Sequence, residues 1–460
     1  MFLADAIDHY HELLLSTDMA RESWATLSAE MRARRLFFSE RPLSSVLRPR
    51  LISAAQYALL QRAVGDVARA ARKVADLALT PGSAGAAVRE QLMLTPHEHA
   101  LIDMHPGYAD PSAHARMDTF LTLDGSLQFA AYNAENPASV AYEDLLSQAF
   151  REMPVMRAFT RRYPLRPLPT RQRMIETLLG AWREADSPGG EPSVAILAWS
   201  GLPTTSEFEL FRDFLAEHHL PALICTPDDL RFHAGRLFAR IDGAETPITI
   251  VLKRVLTSEF LVHYGDEALA HPLAHAYAAG ACVVVNSFRA TLLHKTSIFA
   301  LLSDEQCQAD FSIEERDSIA RHIPWTRVLR PGVTTYQGDP IDLLDFTRAN
   351  RNRLLLKPND TYDGKDITIG WESSTDEWDA AIKAGMESPC VVQEKVMIAY
   401  EPYPALVDGH VVISQRLVGS DPFLFGPEVD GCLCRLSPVT QPTVSAGGGS
   451  TVPVFVIDEG

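Results

Sequence analysis

Cysteine is scarce and scattered in this 460-residue chain. One C-x-C pair near the C-terminal end has no matching cysteine or histidine pair at metal-ligand spacing, so no zinc site is expected. Several cysteines stand in apolar runs, where a small core residue is the simplest interpretation. The six are Cys225, Cys282, Cys307, Cys390, Cys432 and Cys434.

Basic residues are also few, with 42 lysines and arginines against 59 acidic residues and a net charge of −17. That balance argues against nucleic acid or an anionic membrane as a partner. No apolar run reaches membrane-spanning length. The start, MFLADAIDHYHELL, lacks the basic segment and cleavage site of a signal peptide. We therefore expect a cytoplasmic protein, and the length predicts two or three subdomains.

Two long regions have different periodicities. Apolar residues recur at helical spacing from about residue 3 to 78, with breaks at Pro42 and Pro49, which predicts a helical region. Apolar runs at 194–199, 220–227, 248–252 and 281–287 read as buried strands, and residues 206–219 as a helix between two of them. This succession predicts a small α/β domain with a parallel sheet.

Residues 351–372, RNRLLLKPNDTYDGKDITIGWE, predict a strand, a glycine-bearing loop and a second strand. The first strand ends in Lys357, and the loop at 359–366 follows. A lysine beside a mobile loop suits a polyphosphate, because the ammonium supplies charge and loop N–H groups can close over the phosphates. A solvated surface hairpin fits the same pattern. The stretch is neither a Walker A motif nor a GxGxxG turn.

Residues 115–140 predict a second hairpin, turned by Asp124-Gly125. Arg116 and Asp118 are two apart on its first strand and so share one face. Its second strand ends in a group of oxygen-bearing side chains at 132–137, and Mg²⁺ takes such ligands. An Asx-rich turn into a helix near 139–150 fits equally well.

Three further polar residues lie within or at the end of predicted elements. Lys295 lies in an amphipathic helix predicted over 289–304, where a lysine is usually a surface residue. Gln393 and Glu394 end a strand predicted over 388–396. Such an acid can accept a hydrogen bond from a nucleotide, or it can simply end the strand.

The order of five segments carries a resemblance to a known family. NPASVAYEDLL, HPLAHAYAAGACVVVNSFRATLLHKTSIFALLSD, LLLKPNDTYDGKDITIGWE, VVQEKV and GCLCRLSPVTQPTVSAGGGSTVPVFV together resemble the circularly permuted ATP-grasp proteins, which include glutathionylspermidine synthase-like carboxylate–amine ligases. The resemblance covers roughly residues 100–460. It is a permuted order because the Arg-x-Asp hairpin precedes the lysine hairpin.

The resemblance implies an α/β (α+β) fold in four parts. These are a helical N-terminal region at 1–95, a permuted metal-binding part of the ATP-grasp core at 96–190, a pre-ATP-grasp-like α/β domain at 191–290, and a lysine and glycine-loop subdomain with the closing strands at 291–460.

The resemblance also implies roles for individual residues. Arg116 would contact the transferred phosphoryl group, and Asp118 and Asn133 would hold Mg²⁺. The implied ATP-binding residues are Lys295, Lys357, Gly364, Lys365, Gln393 and Glu394. Arg254, at a strand end, is a candidate for the substrate carboxylate, although a surface arginine fits as well. Arg435 matches an arginine of the family whose role is unassigned.

One position departs from the family pattern. Related synthetases carry a metal-binding glutamate two residues before the asparagine, where this chain has Ala131. Either Glu135 supplies the missing carboxylate from across the turn or the protein has lost activity. With the lysines, glycines and Arg-x-Asp present, a rearranged metal site is the favoured interpretation.

The predicted function is therefore an ATP- and Mg²⁺-dependent ligase that joins a small-molecule or peptide carboxylate to an amine through an acyl-phosphate. The alternatives are a phosphotransferase that uses the same nucleotide cleft and a catalytically inactive nucleotide-binding or scaffold protein. No nucleic-acid or membrane partner is expected.

Overall fold

Helices and strands are mixed along the chain in the computed structural model, which describes residues 2–15, 17–360, 366–438 and 449–458. The helices of these residues are α1 (Phe2–Leu15), α2 (Thr17–Ala33), α3 (Ala54–Leu79), α4 (Ser83–Gln91), α5 (Pro96–Asp103), α6 (Val140–Glu152), α7 (Pro154–Phe159), α8 (Arg171–Glu184), α9 (Thr205–Glu217), α10 (Thr257–Tyr264), α11 (Pro272–Ala278), α12 (Thr291–His294), α13 (Ile298–Leu302), α14 (Ile313–His322), α15 (Leu343–Ala349) and α16 (Thr375–Glu387).

The strands of the same residues form several separate sheets. They are β1 (Phe37–Phe38), β2 (Arg41–Pro42), β3 (Arg50–Ser53), β4 (His114–Leu121), β5 (Leu127–Asn133), β6 (Leu165–Pro167), β7 (Val194–Leu197), β8 (Ala222–Cys225), β9 (Leu230–His233), β10 (Arg236–Ile241), β11 (Ala244–Ile248), β12 (Ile250–Lys253), β13 (Val283–Val285), β14 (Thr326–Val328), β15 (Val333–Tyr336), β16 (Asp339–Asp342), β17 (Leu354–Pro358), β18 (Thr368–Ile369), β19 (Cys390–Glu394), β20 (Tyr400–Val407), β21 (His410–Phe425), β22 (Glu428–Ser437) and β23 (Ser450–Ile457).

The N-terminal region is helical, as predicted, with α1 and α2 before the proline break and α3 after it. A capping box starts α3, because Ser53 Oγ accepts from Gln56 N and the Gln56 side chain accepts from Ser53 N. The region also contributes a strand, which the helical pattern did not indicate. Leu51 and Ile52 are fully buried in β3, which runs parallel to β23.

The predicted parallel sheet is present, in the order β13-β12-β7-β8. Its strands are shorter than the apolar runs that predicted them, but they stand where expected, and β7 and β12 are buried along their whole length. Helix α9 lies between β7 and β8 in the chain, as predicted. An antiparallel sheet of β9, β10 and β11 is inserted before β12.

Two sheets, antiparallel except where β3 joins β23, flank the candidate site. The larger sheet runs β3-β23-β22-β21-β4-β5, with β20 added on β21 and β6 on β23. The smaller one runs β14-β19-β17-β18. Both predicted hairpins are found. In the first, β4 pairs with β5 around Gly125, whose φ of +88° suits glycine. In the second, Leu355 on β17 lies opposite Ile369 on β18.

The helix predicted over 289–304 is not continuous. The structure ends α12 at His294 and starts α13 at Ile298, so Lys295 lies at a break between two short helices. The backbone N–H groups of the break bond elsewhere: Thr296 N donates to the Asn359 carbonyl oxygen, and Ser297 N donates to Asn359 Oδ1. A partner from the lysine hairpin thus replaces the helical hydrogen bonds at this point.

The architecture is a mixed α/β fold, as the sequence predicted at that level. Side chains from α1, α3, β4, β21 and β23 share one hydrophobic core, which also takes in part of the parallel sheet. The four predicted domain boundaries stay predictions. Every helix in the described part of the chain is too short or too polar to cross a bilayer.

Candidate functional site

The end of β17 brings a lysine from the smaller sheet to the larger one. Lys357 is the fourth residue of an apolar strand, LLLKP, and its side chain is almost fully buried. Its Nζ donates to the carbonyl oxygen of Ala130 on β5, at 2.8 Å. Lys357 therefore bridges the two sheets.

Four charged side chains on the larger sheet form what we call the arginine–aspartate cluster: Arg116, Asp118, Asp421 and Arg435. Arg116 Nε donates to Asp118 Oδ1 at 2.9 Å, and Arg435 Nη2 lies 2.6 Å from Asp118 Oδ2. Arg435 Nε also donates to Asp421 Oδ2 at 2.6 Å. The side chain of Asp421 is 1% exposed, and those of the other three are 9–17% exposed.

Strand register explains how the cluster forms. Arg116 and Asp118 alternate on β4 and share a face, while β21 and β22 place Arg435 opposite Gly419, two residues before Asp421. The β4–β5 ladder is irregular after Asp118. There the N–H of Thr119 turns to donate to Asp421 Oδ1 at 3.1 Å.

Burial and opposite charges act against each other in the cluster. Burial raises the pKa of the Asp118 carboxyl, but the Arg116 and Arg435 guanidiniums outweigh it and hold that pKa well below its usual range. Burial dominates for Asp421, whose pKa is raised. Burial also lowers the pKa of Lys357 to about 8, although the negative charge of Asp118 opposes this. Lys357 therefore stays mostly protonated at neutral pH.

Lys295 is buried at the base of the lysine hairpin rather than exposed on a helix. Its Nζ lies 2.6 Å from Glu98 Oε1 and also forms an ion pair with Asp360. Burial lowers its pKa, but the two carboxylates more than compensate, and the net pKa is raised. Asn359 anchors the same base, since its Nδ2 donates to the Leu92 carbonyl at 2.8 Å.

Gln393 and Glu394 lie at the end of β19, next to β17. Gln393 is buried and its Nε2 donates to Thr326 Oγ1 at 3.0 Å, whereas Glu394 accepts from the Tyr336 hydroxyl at 3.0 Å. Glu394 lies opposite Leu354, three residues from Lys357 and so about 10 Å along the strand. These two positions lie on the two inner strands of the smaller sheet.

The structure brings Asn133 to the cluster but not Glu135. Asn133 lies opposite Arg116, and its Nδ2 is buried with no hydrogen-bond partner among the described residues. Glu135 is buried against the parallel sheet, where Oε2 accepts from Lys253 Nζ at 2.9 Å and Oε1 from Thr291 Oγ1 at 2.7 Å. Burial raises its pKa, but Lys253 and other neighbours lower the net value to about 2.

Arg254 lies behind the turn that follows Glu135. Its Nη1 donates to the Pro137 carbonyl at 2.7 Å, while Arg116 Nη1 donates to the next carbonyl, of Ala138, at 3.1 Å. The two arginines thus contact the same turn, and the role of Arg254 toward a carboxylate stays a prediction. Gly364 and Lys365, predicted to lie over the phosphates, fall outside the described residues.

Sequence reasoning missed Asp421, which pairs with Arg435, and Glu98 and Asp360, which both pair with Lys295. An aspartate in the strand SDPFLF is unusual enough to have drawn attention, because Asp is depleted in strands. The pairing of Glu98 with Lys295 spans 197 residues of sequence, and no local pattern indicates it.

The donor set does not fit a divalent metal. Mg²⁺ is usually held by one or two carboxylates together with substrate phosphates, but both oxygens of Asp118 contact guanidinium groups, and Glu135 lies in a separate ion pair. The described residues contain no group of three or more acidic, histidine or cysteine side chains arranged to hold a metal ion. The assignment of Asp118, Asn133 and Glu135 as metal ligands stays a prediction.

Comparison with solved structures identifies the fold. The chain is similar to a glutathione synthetase-like effector from Globodera pallida in its apo form, with a TM-score of 0.59 and 12% identity over 97% of each chain. It also matches a candidate gamma-glutamylcysteine synthetase from Methylobacillus flagellatus KT, with a TM-score of 0.41 and 9% identity over 85% of each chain. No family model and no curated protein matches the sequence.

The first likeness extends over almost the whole chain and shows that the chain shares the fold of a glutathione synthetase-like effector. At 12% identity this likeness is evidence for the fold and not for the function. The coarse fold prediction is confirmed, and the circular permutation stays a prediction.

Proposed function

We propose that the protein is an ATP-dependent ligase that activates a carboxylate as an acyl-phosphate and joins it to an amine. The observation that carries the proposal is the reach of Lys357 from the smaller sheet to Ala130 of the larger sheet, next to Asp118 of the arginine–aspartate cluster. Cationic groups held between two sheets suit a polyphosphate, and the ATP-grasp-like fold supports the same ligand.

In the proposed first step, a carboxylate oxygen of the substrate attacks the γ-phosphorus of ATP and the bond to the bridging oxygen breaks, leaving ADP and an acyl-phosphate. Arg116 would neutralise the charge on the transferred group, and Lys357 would hold the phosphates. In the second step, the amine nitrogen attacks the acyl carbon, inorganic phosphate leaves, and the nitrogen loses a proton to give an amide.

The predicted roles of the remaining residues belong to the same proposal. Gln393 and Glu394, opposite Leu355 and Leu354 and so about 7 and 10 Å along the strand from Lys357, would lie toward the adenosine end of an extended nucleotide. Lys295 would add charge at the phosphates once a carboxylate partner is released. Arg254 would contact the substrate carboxylate, close to the turn that Arg116 also contacts.

The test is to incubate the protein with ATP and pools of carboxylates and amines, with Mg²⁺ and separately with EDTA, and to measure ADP and phosphate. Hydroxylamine traps an acyl-phosphate as a hydroxamate and reports the first step by itself. Amine-dependent ADP release that Lys357→Met abolishes would support the ligase. Lys383→Met, at an exposed position of α16, is the matched control.

A second candidate is a protein that binds the nucleotide without transferring phosphate. It is favoured by the place of Ala131 opposite Asp118, where a metal-binding carboxylate is expected from the resemblance. ATP binding without ADP release or hydroxamate from any pool would support this alternative.

A further inference from the structure

Arg435 lies between two carboxylates at the point where a metal ion would be expected. Its Nη2 and Nε are each 2.6 Å from an oxygen, of Asp118 and of Asp421 respectively. The two carboxylates lie on neighbouring strands of one sheet, and the guanidinium contacts both of them. Arginine presents a planar fork of donors and stays charged at any working pH.

The carboxylates of the cluster are already neutralised by protein cations. Asp118 contacts Arg116 through one oxygen and Arg435 through the other, and Asp421 accepts from Thr119 N and Arg435. A divalent ion entering here would have to displace at least one guanidinium. The like charge of the two arginines would oppose its approach.

The charge that is left over is positive. Arg116, Arg435 and Lys357 supply three positive charges against two from Asp118 and Asp421. The buried Nδ2 of Asn133 adds a donor without a partner among the described residues. A surplus of cationic groups and hydrogen-bond donors favours the binding of an anion. Because these groups are little exposed to solvent, salt screens their charges only weakly.

We propose that this cluster binds a polyphosphate without a divalent cation, with the Arg435 guanidinium in the place of the metal. The inference rests on the proposed function in taking a polyphosphate as the ligand. It differs in making Arg435, Arg116 and Lys357 the source of the charge that Mg²⁺ supplies in the reaction predicted from the sequence.

The first test uses calorimetric titration of the full chain with inorganic tripolyphosphate and, separately, with ATP, in EDTA and in excess Mg²⁺. We expect tripolyphosphate to bind in EDTA at least as tightly as in Mg²⁺. Arg435→Gln should weaken binding in EDTA at least tenfold, whereas Arg321→Gln, at an exposed position of α14, should leave it unchanged. Binding that appears only with Mg²⁺ would overturn the inference.

The second variant does not depend on removing a buried arginine. Ala131→Glu places a carboxylate opposite Asp118 at a half-buried position. We expect it to lower metal-free tripolyphosphate affinity at least tenfold and to make binding respond to Mg²⁺. Unchanged binding in EDTA would show that the polyphosphate lies elsewhere.

The two ligands separate this inference from the proposed function. ATP that binds only with Mg²⁺ would contradict the inference and leave the ligase proposal standing. Metal-free binding of tripolyphosphate without any ATP binding would support the inference and contradict the ligase. Failure of both ligands in both conditions would overturn both proposals.

Discussion

Asp118 and Ala131 lie directly opposite each other on β4 and β5. Facing side chains across an antiparallel ladder are close enough to act together, so a glutamate at 131 would complete a pair of carboxylates. With alanine there, Asp118 turns both of its oxygens to arginines instead. Because position 131 is alanine, no carboxylate faces Asp118 from β5, and the site keeps a surplus of cationic side chains.

Phosphate binding at Lys357 should weaken as the pH rises. Burial lowers the pKa of this lysine to about 8, so its charge is present below that pH and is lost above it. We expect affinity for tripolyphosphate to fall by up to about tenfold per pH unit above pH 8, since one proton is linked to binding. Calorimetric titration at pH 7, 8 and 9 measures this.

The matched variant for this experiment is Lys357→Met, which keeps the length of the side chain and removes the charge. It should bind weakly at every pH and show no such decline. If Lys357→Met keeps the wild-type affinity and pH profile, the role given to Lys357 is wrong.

Glu135 should matter for stability rather than for metal binding. It pairs with Lys253 in a site where both side chains are 2% exposed. Removing one member of such a pair leaves a buried charge without its partner, so Glu135→Ala should lower the free energy of unfolding by about 3–5 kcal/mol. Urea denaturation measures the change, and the double variant Glu135→Leu/Lys253→Met should recover part of it.

A different outcome would restore the metal-ligand hypothesis. If Glu135→Ala left stability within about 1 kcal/mol of the wild type but changed the Mg²⁺ dependence of ADP release, Glu135 would act at the metal and the ion pair would be incidental.

The carboxylate of Glu135 also makes a contribution to stability that is lost in acid. The pKa of Glu135 is about 2 in the folded protein, whereas the pKa of a glutamate in an unfolded chain is about 4.3. A lowered folded pKa stabilises the protein above the unfolded value, and this contribution is lost as the pH falls from about 4.3 to 2. It amounts to about 3 kcal/mol, and Glu135→Gln should remove that part of the pH dependence in urea denaturation measured from pH 7 down to 3. If the free energy of unfolding of Glu135→Gln depends on pH as steeply as that of the wild type, Glu135 does not make this contribution.

Local sequence patterns predicted the hairpins, the parallel sheet and the position of Lys357 because each depends on residues close together in the chain. Asp124-Gly125 specifies its turn, and LLLK specifies a buried strand that ends in a lysine. The break at Lys295 was not predictable in this way, because Asn359 on another element creates it. Nor was the pairing of Glu135 with Lys253, which depends on how β5 meets the parallel sheet.

The arginine–aspartate cluster shows the same limit within a single sheet. The sequence predicted that Arg116 and Asp118 share a face, from a two-residue spacing. The place of Arg435 beside Asp118 depends on the register of β22 on β21 and of β21 on β4, which no short motif specifies. The sequence thus indicated which residues belong to the cluster, but not which charged side chains pair with each other.

Asn286 should hold the site hairpin to the parallel sheet. Its Nδ2 donates to the carbonyls of His114, Ala134 and Glu135, and its Oδ1 accepts from His114 N. Asn286→Ala leaves these buried groups without partners and should lower the free energy of unfolding by about 2–3 kcal/mol. Asn136→Ala, which removes one hydrogen bond to the Arg254 carbonyl, should cost about 1 kcal/mol in the same urea denaturation. Equal losses would contradict the special role of Asn286.

Asp360 should compete with phosphate for Lys295. The lysine is held between Glu98, which is buried, and Asp360, whose side chain is 31% exposed at the start of the loop. If Lys295 contacts phosphate, it has to release the more accessible carboxylate. Asp360→Asn removes that competitor and leaves the buried pair with Glu98 intact. We expect the affinity for ATP to rise about fivefold, which corresponds to about 1 kcal/mol.

Calorimetry on the wild type, Asp360→Asn and the exposed control Asp339→Asn measures this effect, and the control should match the wild type. The affinity gain should disappear when Lys295→Met is added, because no ammonium is then released. An affinity that falls in Asp360→Asn would instead assign Asp360 a direct part in holding the nucleotide, and Lys295 would then serve to position that carboxylate.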